Sequence, residues 1–224
     1  MPTTLAERFA AVKATVPSHV KLIAVSKTRS EDEIRALYEL GHRAFGENYP
    51  QELRAKHTAL PPDIEWHFIG HLQRSNVKHV VGITRLIHGV DSEKLLDGLE
   101  KRAEGLVRPV DVLLQVHIAQ EETKHGFSPD ELRTLLEQPG IQGRWPHLRI
   151  RGLMGMATNT ADRAQVAREF AALAAIFNAL ATRGPFPAGQ FSELSMGMTG
   201  DMDLAIQAGS TMVRVGTAIF GERG

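Results

Sequence analysis

The sequence predicts a single parallel (β/α)8 barrel, alternating strand and helix, and three observations lead to it. Eight short apolar runs rich in β-branched residues alternate with longer segments of helical period along 224 residues. A barrel of this kind usually takes about 250 residues. Polar residues gather at the C-terminal ends of several different strands, whereas a doubly wound open sheet would want one glycine-rich turn after its first strand. The first strand here is followed by Ser-Lys-Thr-Arg-Ser, with no glycine.

The N-terminal segment MPTTLAERFAAVKATV reads as an extra amphipathic helix ahead of the barrel. Charges interrupt it, so it lacks the apolar core of a signal peptide. The strands are expected at KLIAVS (21–26), RAFGE (43–47), EWHFIG (65–70), RLIHGV (85–90), VDVLLQVHI (110–118), LRIRGLMG (148–155), QFSELSM (190–196) and TMVRVG (211–216). The helix over 30–41 opens with a Ser-x-x-Glu box, Ser30 to Glu33, and stops at Gly41. Asp91 and Ser92 are good caps for a helix over 91–103, and Pro129 sits just inside the start of another over 128–138. The long helix over 160–184 carries an apolar stripe of Val166, Phe170, Leu173, Phe177 and Leu180. A short one over 200–210 ends at Gly209. No linker or second domain interrupts the pattern, so residues 1–224 read as one domain.

Composition narrows the function. Lys plus Arg and Asp plus Glu both number 26, and the basic residues are dispersed, so nothing draws the chain to nucleic acid or to an acidic membrane. No window approaches the ~18 apolar residues of a membrane span. There are no cysteines, which excludes disulfides, thiolate metal sites and cysteine nucleophiles and fits a cytoplasmic location.

Lys27 is the first candidate for chemistry. A lysine at the exit of a buried strand either snorkels its amine into water or serves as a Schiff-base nucleophile, whose neutral form desolvation favours. The second strand ends in Glu47 and Asn48, which read both as a turn with a helix cap and as mouth residues beside Lys27. His67 alternates with Trp66 and Phe68 as a core histidine would, and His71 follows in the loop after Gly70. No third ligand stands at metal-binding spacing from these two, so metal is not expected. Glu121, Glu122 and Lys124 read as a solvated loop. Met154 and Met156 end the sixth strand as packing residues or as an apolar wall for a flat ring.

The last two units are the most informative. SELSMGMTGDM sets Ser195, Gly197, Thr199 and Gly200 around a strand-to-helix turn, and MVRVGTAIFG sets Gly216 and Thr217 around another. Loops after strands seven and eight are where barrels bind phosphate. Arg214, between Val213 and Val215, is either an interior arginine paired with Glu193 or Asp201 or one that faces an anion or a ring nitrogen. A lysine, a phosphate cradle and a buried arginine together suit pyridoxal 5′-phosphate, which carries an aldehyde, a phosphate and a basic ring nitrogen.

The motifs IAVSKT, FGENY, EWHFIGHLQ, HGF, IRGLMGM, LSMGMTGD and GSTMVRVGTAIFG span nearly the whole chain. Together they closely resemble the YggS/PROSC family of pyridoxal-phosphate-binding proteins, the pyridoxal phosphate homeostasis proteins. That family in turn resembles the N-terminal barrel of alanine racemase, fold type III. The resemblance implies that Lys27 holds the cofactor as a Schiff base and that Ser195, Gly216 and Thr217 hold its phosphate. It implies that Arg214 faces the pyridine nitrogen, that Asn48 lies near the ring and that Met156 lines it. Asn76 stands where many members carry a lysine, so the secondary cofactor-exchange site proposed for the family is not expected here.

Two functions remain. The resemblance implies a carrier that binds, buffers and delivers pyridoxal phosphate, with no catalytic residues of its own and with apo-enzymes as transient partners. The alternative is a fold type III amino-acid racemase. Racemisation needs an acid or base on each face of the carbanion, and the chain has only two tyrosines, Tyr38 and Tyr49. The expected partner domain of a racemase is absent after strand eight, so the carrier is expected, as a monomer. A cofactor-free Schiff-base aldolase would keep Lys27 and the phosphate site.

Overall fold

The computed structural model describes residues 4–121 and 123–222. Helix α1 (Leu5–Thr15) precedes β1 (Lys21–Val25), α2 (Glu31–Glu39), β2 (Ala44–Glu47), α3 (Pro50–Ala59) and β3 (Glu65–Phe68). Then come β4 (Leu86–Val90), α4 (Glu93–Ala103), β5 (Val110–Val116), α5 (Pro129–Leu136), β6 (Leu148–Gly155) and α6 (Arg163–Arg183). The last units are β7 (Glu193–Ser195), α7 (Met202–Gln207), β8 (Met212–Val215) and α8 (Thr217–Phe220). The eight strands form one closed parallel barrel in sequence order. Its seam is β1 against β8, in register from Lys21 with Met212 to Ala24 with Val215. All eight predicted strands and the expected N-terminal helix are present.

Local signals account for most boundaries. Thr4, Ser30 and Ser128 each close a full capping box with a glutamate three residues on. Ser92 caps α4, while Asp91 is turned to other use; Tyr49, rather than Asn48, occupies the cap position of α3, with Pro50 inside it. The connection from β3 to β4 is a 3₁₀ segment, Arg74–His79, where a full helix would be usual. Among the described residues no helix is long and apolar enough to cross a membrane.

The main core lies between barrel and helices. Trp66, Phe45, Phe68 and Phe170 are fully enclosed there, each contributing about 1.5–3 kcal/mol through burial. From the α6 stripe Val166, Phe170 and Leu173 are buried, and Phe177 and Leu180 pack against them half-buried. A second cluster, Leu86, Leu113, Met154 and Met212, shares the barrel interior with polar His67, His88, Ser195 and Arg214.

Candidate functional site

A cavity of about 270 Å3 opens at the C-terminal ends of β1, β7 and β8. It is lined by Val25, Lys27, Arg29, Met198, Thr199, Gly200, Arg214, Gly216 and Thr217. Three cations and no acid face it, and two threonine hydroxyls stand among them. The structure thus brings Lys27, Arg214, Gly216 and Thr217 onto one surface, joining residues some 190 positions apart through the β1–β8 seam.

Lys27 stands half-buried between two fixed neighbours. On one side the Ser26 hydroxyl donates to Glu47 Oε1 (2.6 Å) and the Ser26 carbonyl accepts from Lys56 Nζ (2.7 Å). On the other, the Thr28 N–H donates to Glu52 Oε1 (2.6 Å). Lys56 also bonds Glu47 (2.8 Å) and Glu52 (2.7 Å). Thr28 is held at φ 63°, a left-handed conformation that a β-branched residue seldom takes. Helix α3 therefore clamps the exit of β1 and sets where Lys27 projects. Glu47 was expected beside Lys27 at the mouth; it is instead buried in this clamp, its pKa raised by burial and drawn back down by Lys56. The Glu52-to-Lys56 spacing of four on a helix was the signal for the clamp.

Arg214 is 4% exposed, and burial lowers its pKa to about 10, so it stays charged at neutral pH. Neither expected acid pairs with it. Glu193 faces Arg151 (3.7 Å), and Asp201 acts only through space. The guanidinium donates instead to Ser195 Oγ (2.6 Å) and to the Gly155 carbonyl (3.1 Å). Ser195 Oγ lies 2.9 Å from His88 Nδ1, and His88 Nε2 lies 2.9 Å from His67 Nδ1. β4 and β7 are not neighbours in the barrel, so this row crosses the interior. Burial holds both imidazoles neutral, His67 pushed down to about 3 and His88 well below its usual value. A guanidinium only donates, so the Ser195 hydroxyl passes its proton toward His88 and His88 passes its own toward His67. His67 is the core histidine its alternation predicted.

This placement separates Ser195 from the other predicted phosphate residues. It is fully buried, absent from the cavity wall, and its hydroxyl is engaged by Arg214 and His88. The hydroxyl that the β7 turn does present to the cavity is that of Thr199. Met156 lies half-buried against the interior cluster and lines an adjoining cavity, which shares Met198 and Gly200 with the first. Asn48 lies outside both, its Oδ1 enclosed without a hydrogen-bond partner among the described residues.

Other sequence expectations resolve as follows. Met154 is a packing residue. Glu121 and Lys124 form an ion pair (3.0 Å) and tie the β5 loop to the β6 loop through Asn159 N and Ala157 O, so this stretch is anchored rather than merely solvated. Glu122 lies outside the described residues. His71 is at the mouth, as expected, beside Asp91 and His125.

The residues at the first cavity fit a phosphorylated ring carrying a basic nitrogen. Gly216 forms part of the wall, where an added Cβ would come within 3.3 Å of Val25 Cβ, so a bare backbone lines the cavity. The first N–H groups of the turn into α8 have no partner within the helix and remain available to an anion. Arg214, compensated only by neutral oxygens, can donate to a ring nitrogen and thereby keep it unprotonated.

Comparison with known proteins places the chain in a family. Residues 2–224 match the family described as alanine racemase, N-terminal domain. A pyridoxal phosphate homeostasis protein of Pasteurella multocida is 42% identical over 92% of this chain and 88% of its own length. The human pyridoxal phosphate homeostasis protein is 39% identical over 91% and 76%. PipY of Synechococcus elongatus, solved with PLP bound, superposes with a TM-score of 0.86 at 36% identity, covering 97% of this chain and all of that one. An alanine racemase of Bartonella henselae shares the fold at 16% identity, with a TM-score of 0.72 over 98% of this chain and 60% of that one.

Proposed function

Because this chain belongs to the alanine racemase N-terminal-domain family and, within it, to the pyridoxal phosphate homeostasis proteins, we propose that it binds pyridoxal 5′-phosphate at the Lys27 cavity, buffers it and passes it to apo-enzymes. The observation that carries this reading is Arg214, a buried charge facing a cavity with no acid in its wall. When bound, the cofactor supplies an aldehyde that amines condense with and a ring that withdraws electrons.

The chain's own residues divide the work. Lys27, fixed by the clamp on either side, offers Nζ to the aldehyde carbon. Thr199, Thr217 and the backbone at Gly216 receive the phosphate. Arg214, oriented by Ser195 and the Gly155 carbonyl, donates to the ring nitrogen, which weakens the ring as an electron sink. Met156, on the wall of the adjoining cavity, lines the ring, and Asn48 stands near it. These residues retain the cofactor while promoting little carbanion chemistry.

The racemase alternative lacks a second base. Tyr38 is tied to Asp63 (2.8 Å) and stacked on Arg43, Tyr49 is more than half exposed, and neither lines the cavity. The protein acts as a carrier in the cytoplasm, as a monomer.

Uptake and transfer test the proposal. Purified protein mixed with pyridoxal phosphate acquires a visible absorption band that survives desalting, and borohydride fixes the label on the Lys27 peptide. Loaded protein restores an apo-enzyme faster than cofactor released into buffer does, and L-alanine yields no D-alanine. No retained band, or an equal band in Lys27→Ala, removes the binding claim. Transfer no faster than free release removes the delivery claim.

A further inference from the structure

We propose that His71, Asp91 and His125 form a binding site for a divalent first-row transition metal on the β3–β5 side of the barrel mouth. The three come from successive strand-to-helix loops, after β3, β4 and β5. One ligand atom from each lies within 4.8 Å of the others. His71 Nδ1 is 3.0 Å from Asp91 Oδ2, and His125 Nδ1 is 4.0 Å from the same oxygen. Two imidazoles and one carboxylate, with further positions open to water, are the donor set that zinc, iron(II) and cobalt(II) take. The cofactor reading uses none of the three.

Their backbones are preset by close contacts beneath them. An added Cβ on Gly89 would come within 2.5 Å of the Gly70 carbonyl oxygen, and one on Gly70 within 2.4 Å of the Asn48 carbonyl oxygen. The ends of β2, β3 and β4 therefore approach more closely than side chains would permit, which places His71 against Asp91. The third arm is held by buried Gln115, whose amide donates to the His125 carbonyl (2.7 Å). Asp91 is the anchor, its side chain 11% exposed and followed by Ser92 at the cap of α4. A metal centre needs ligands mounted on rigid elements in this way.

The two imidazole rings are stacked, 3.8 Å between centroids and 14° between planes. Parallel rings cannot both aim a lone pair at one ion. Both side chains are exposed, so ligation can turn the rings out of the stack while Asp91 stays in place. Metal uptake thus carries a signature, the loss of ring stacking, that a rim contact made only of a stack and a hydrogen bond would not show.

The experiment is a cobalt(II) titration of the full-length, untagged, chelator-treated protein without added cofactor, followed by visible absorption and by the imidazole NMR signals. Saturation at one equivalent is expected, with d–d bands in the visible and the strongly shifted contact signals of two ligated imidazoles. His71→Ala and His125→Ala should each weaken binding at least about tenfold. Both side chains are exposed, so both variants keep the fold, which circular dichroism checks. Lys27→Ala should bind cobalt as the parent does. Absence of saturable uptake overturns the proposal, as does uptake unchanged in both histidine variants or lost in Lys27→Ala.

Discussion

Two sets of charge are buried within a few residues of the Lys27 cavity, and they are compensated in opposite ways. Behind β1, Glu47 and Lys56 are both nearly inaccessible and neutralise each other, Ser26 and Glu52 bond them further, and Glu47 Oε2 has no partner among the described residues. Across the barrel, Arg214 meets only a hydroxyl and a carbonyl, and two neutral histidines continue the row. The first set holds its own counter-charge without any ligand and fixes the lysine's mount. The second is a positive charge whose direct hydrogen bonds go only to neutral oxygens, with Asp201 acting through space, so it has donors to offer an electron-rich ligand. A buried ion pair of the first kind points to architecture; an unbalanced buried charge beside an open cavity points to binding.

The largest effect should come from breaking the ion-paired set. Lys56→Met leaves Glu47 buried and uncompensated and should lower stability by about 3–5 kcal/mol, read as a fall in the urea midpoint. Adding Glu47→Leu should recover most of that loss. A single variant as stable as the parent would mean that the clamp is not what holds the β1 exit.

A smaller effect belongs to the row beside Arg214. His67 and His88 stay neutral in the fold, while the unfolded chain protonates its histidines near 6.5. Below that pH the unfolded state binds more protons, so stability is complete above about 6.5 and declines as pH falls toward the folded values. For two such groups the loss between pH 7 and 5.5 is about 2 kcal/mol. Urea midpoints at the two pH values measure it, and a flat profile would show that the row is hydrated and charged.

The smallest change in stability is expected at Arg214 itself. Arg214→Met removes a charge whose burial is costly together with two hydrogen bonds, so stability should move by no more than about 1 kcal/mol. Retention of pyridoxal phosphate should nevertheless weaken about tenfold, equivalent to ~1.4 kcal/mol. Equal and large losses in stability for Lys56→Met and Arg214→Met would erase the distinction between the two sets.

Sequence reasoning reached the barrel because each strand is a β-branched run bounded by polar turns, a pattern that survives without tertiary knowledge. It singled out Lys27, Arg214, Gly216 and Thr217, which line one cavity, because a charge within an apolar strand and a glycine at a strand exit are local oddities. It placed Ser195 on the phosphate because a serine at the end of a strand looks the same whether it points into the mouth or across the interior. The direction depends on β7 ending at that residue and on His88 reaching it from β4. The clamp and the His71–Asp91–His125 group stayed hidden for a related reason. Their members lie on different βα units, and only barrel closure and the contact between Gly70 and Gly89 set their separations.

The β1–β8 seam has a consequence for synthesis. A chain that leaves the ribosome from its N-terminus exposes Lys27 well before Arg214, Gly216 and Thr217, which lie on the far side of the β1–β8 seam. Arg8 of α1 then donates to the carbonyls of Ile219 (2.9 Å) and Phe220 (3.2 Å), so the first helix is docked by the final one. A nascent or truncated chain stopping before β8 would own the lysine without Arg214, Gly216 and Thr217 beside it. Pyridoxal phosphate is a reactive aldehyde, and this order of appearance would delay its retention until β8 has joined β1.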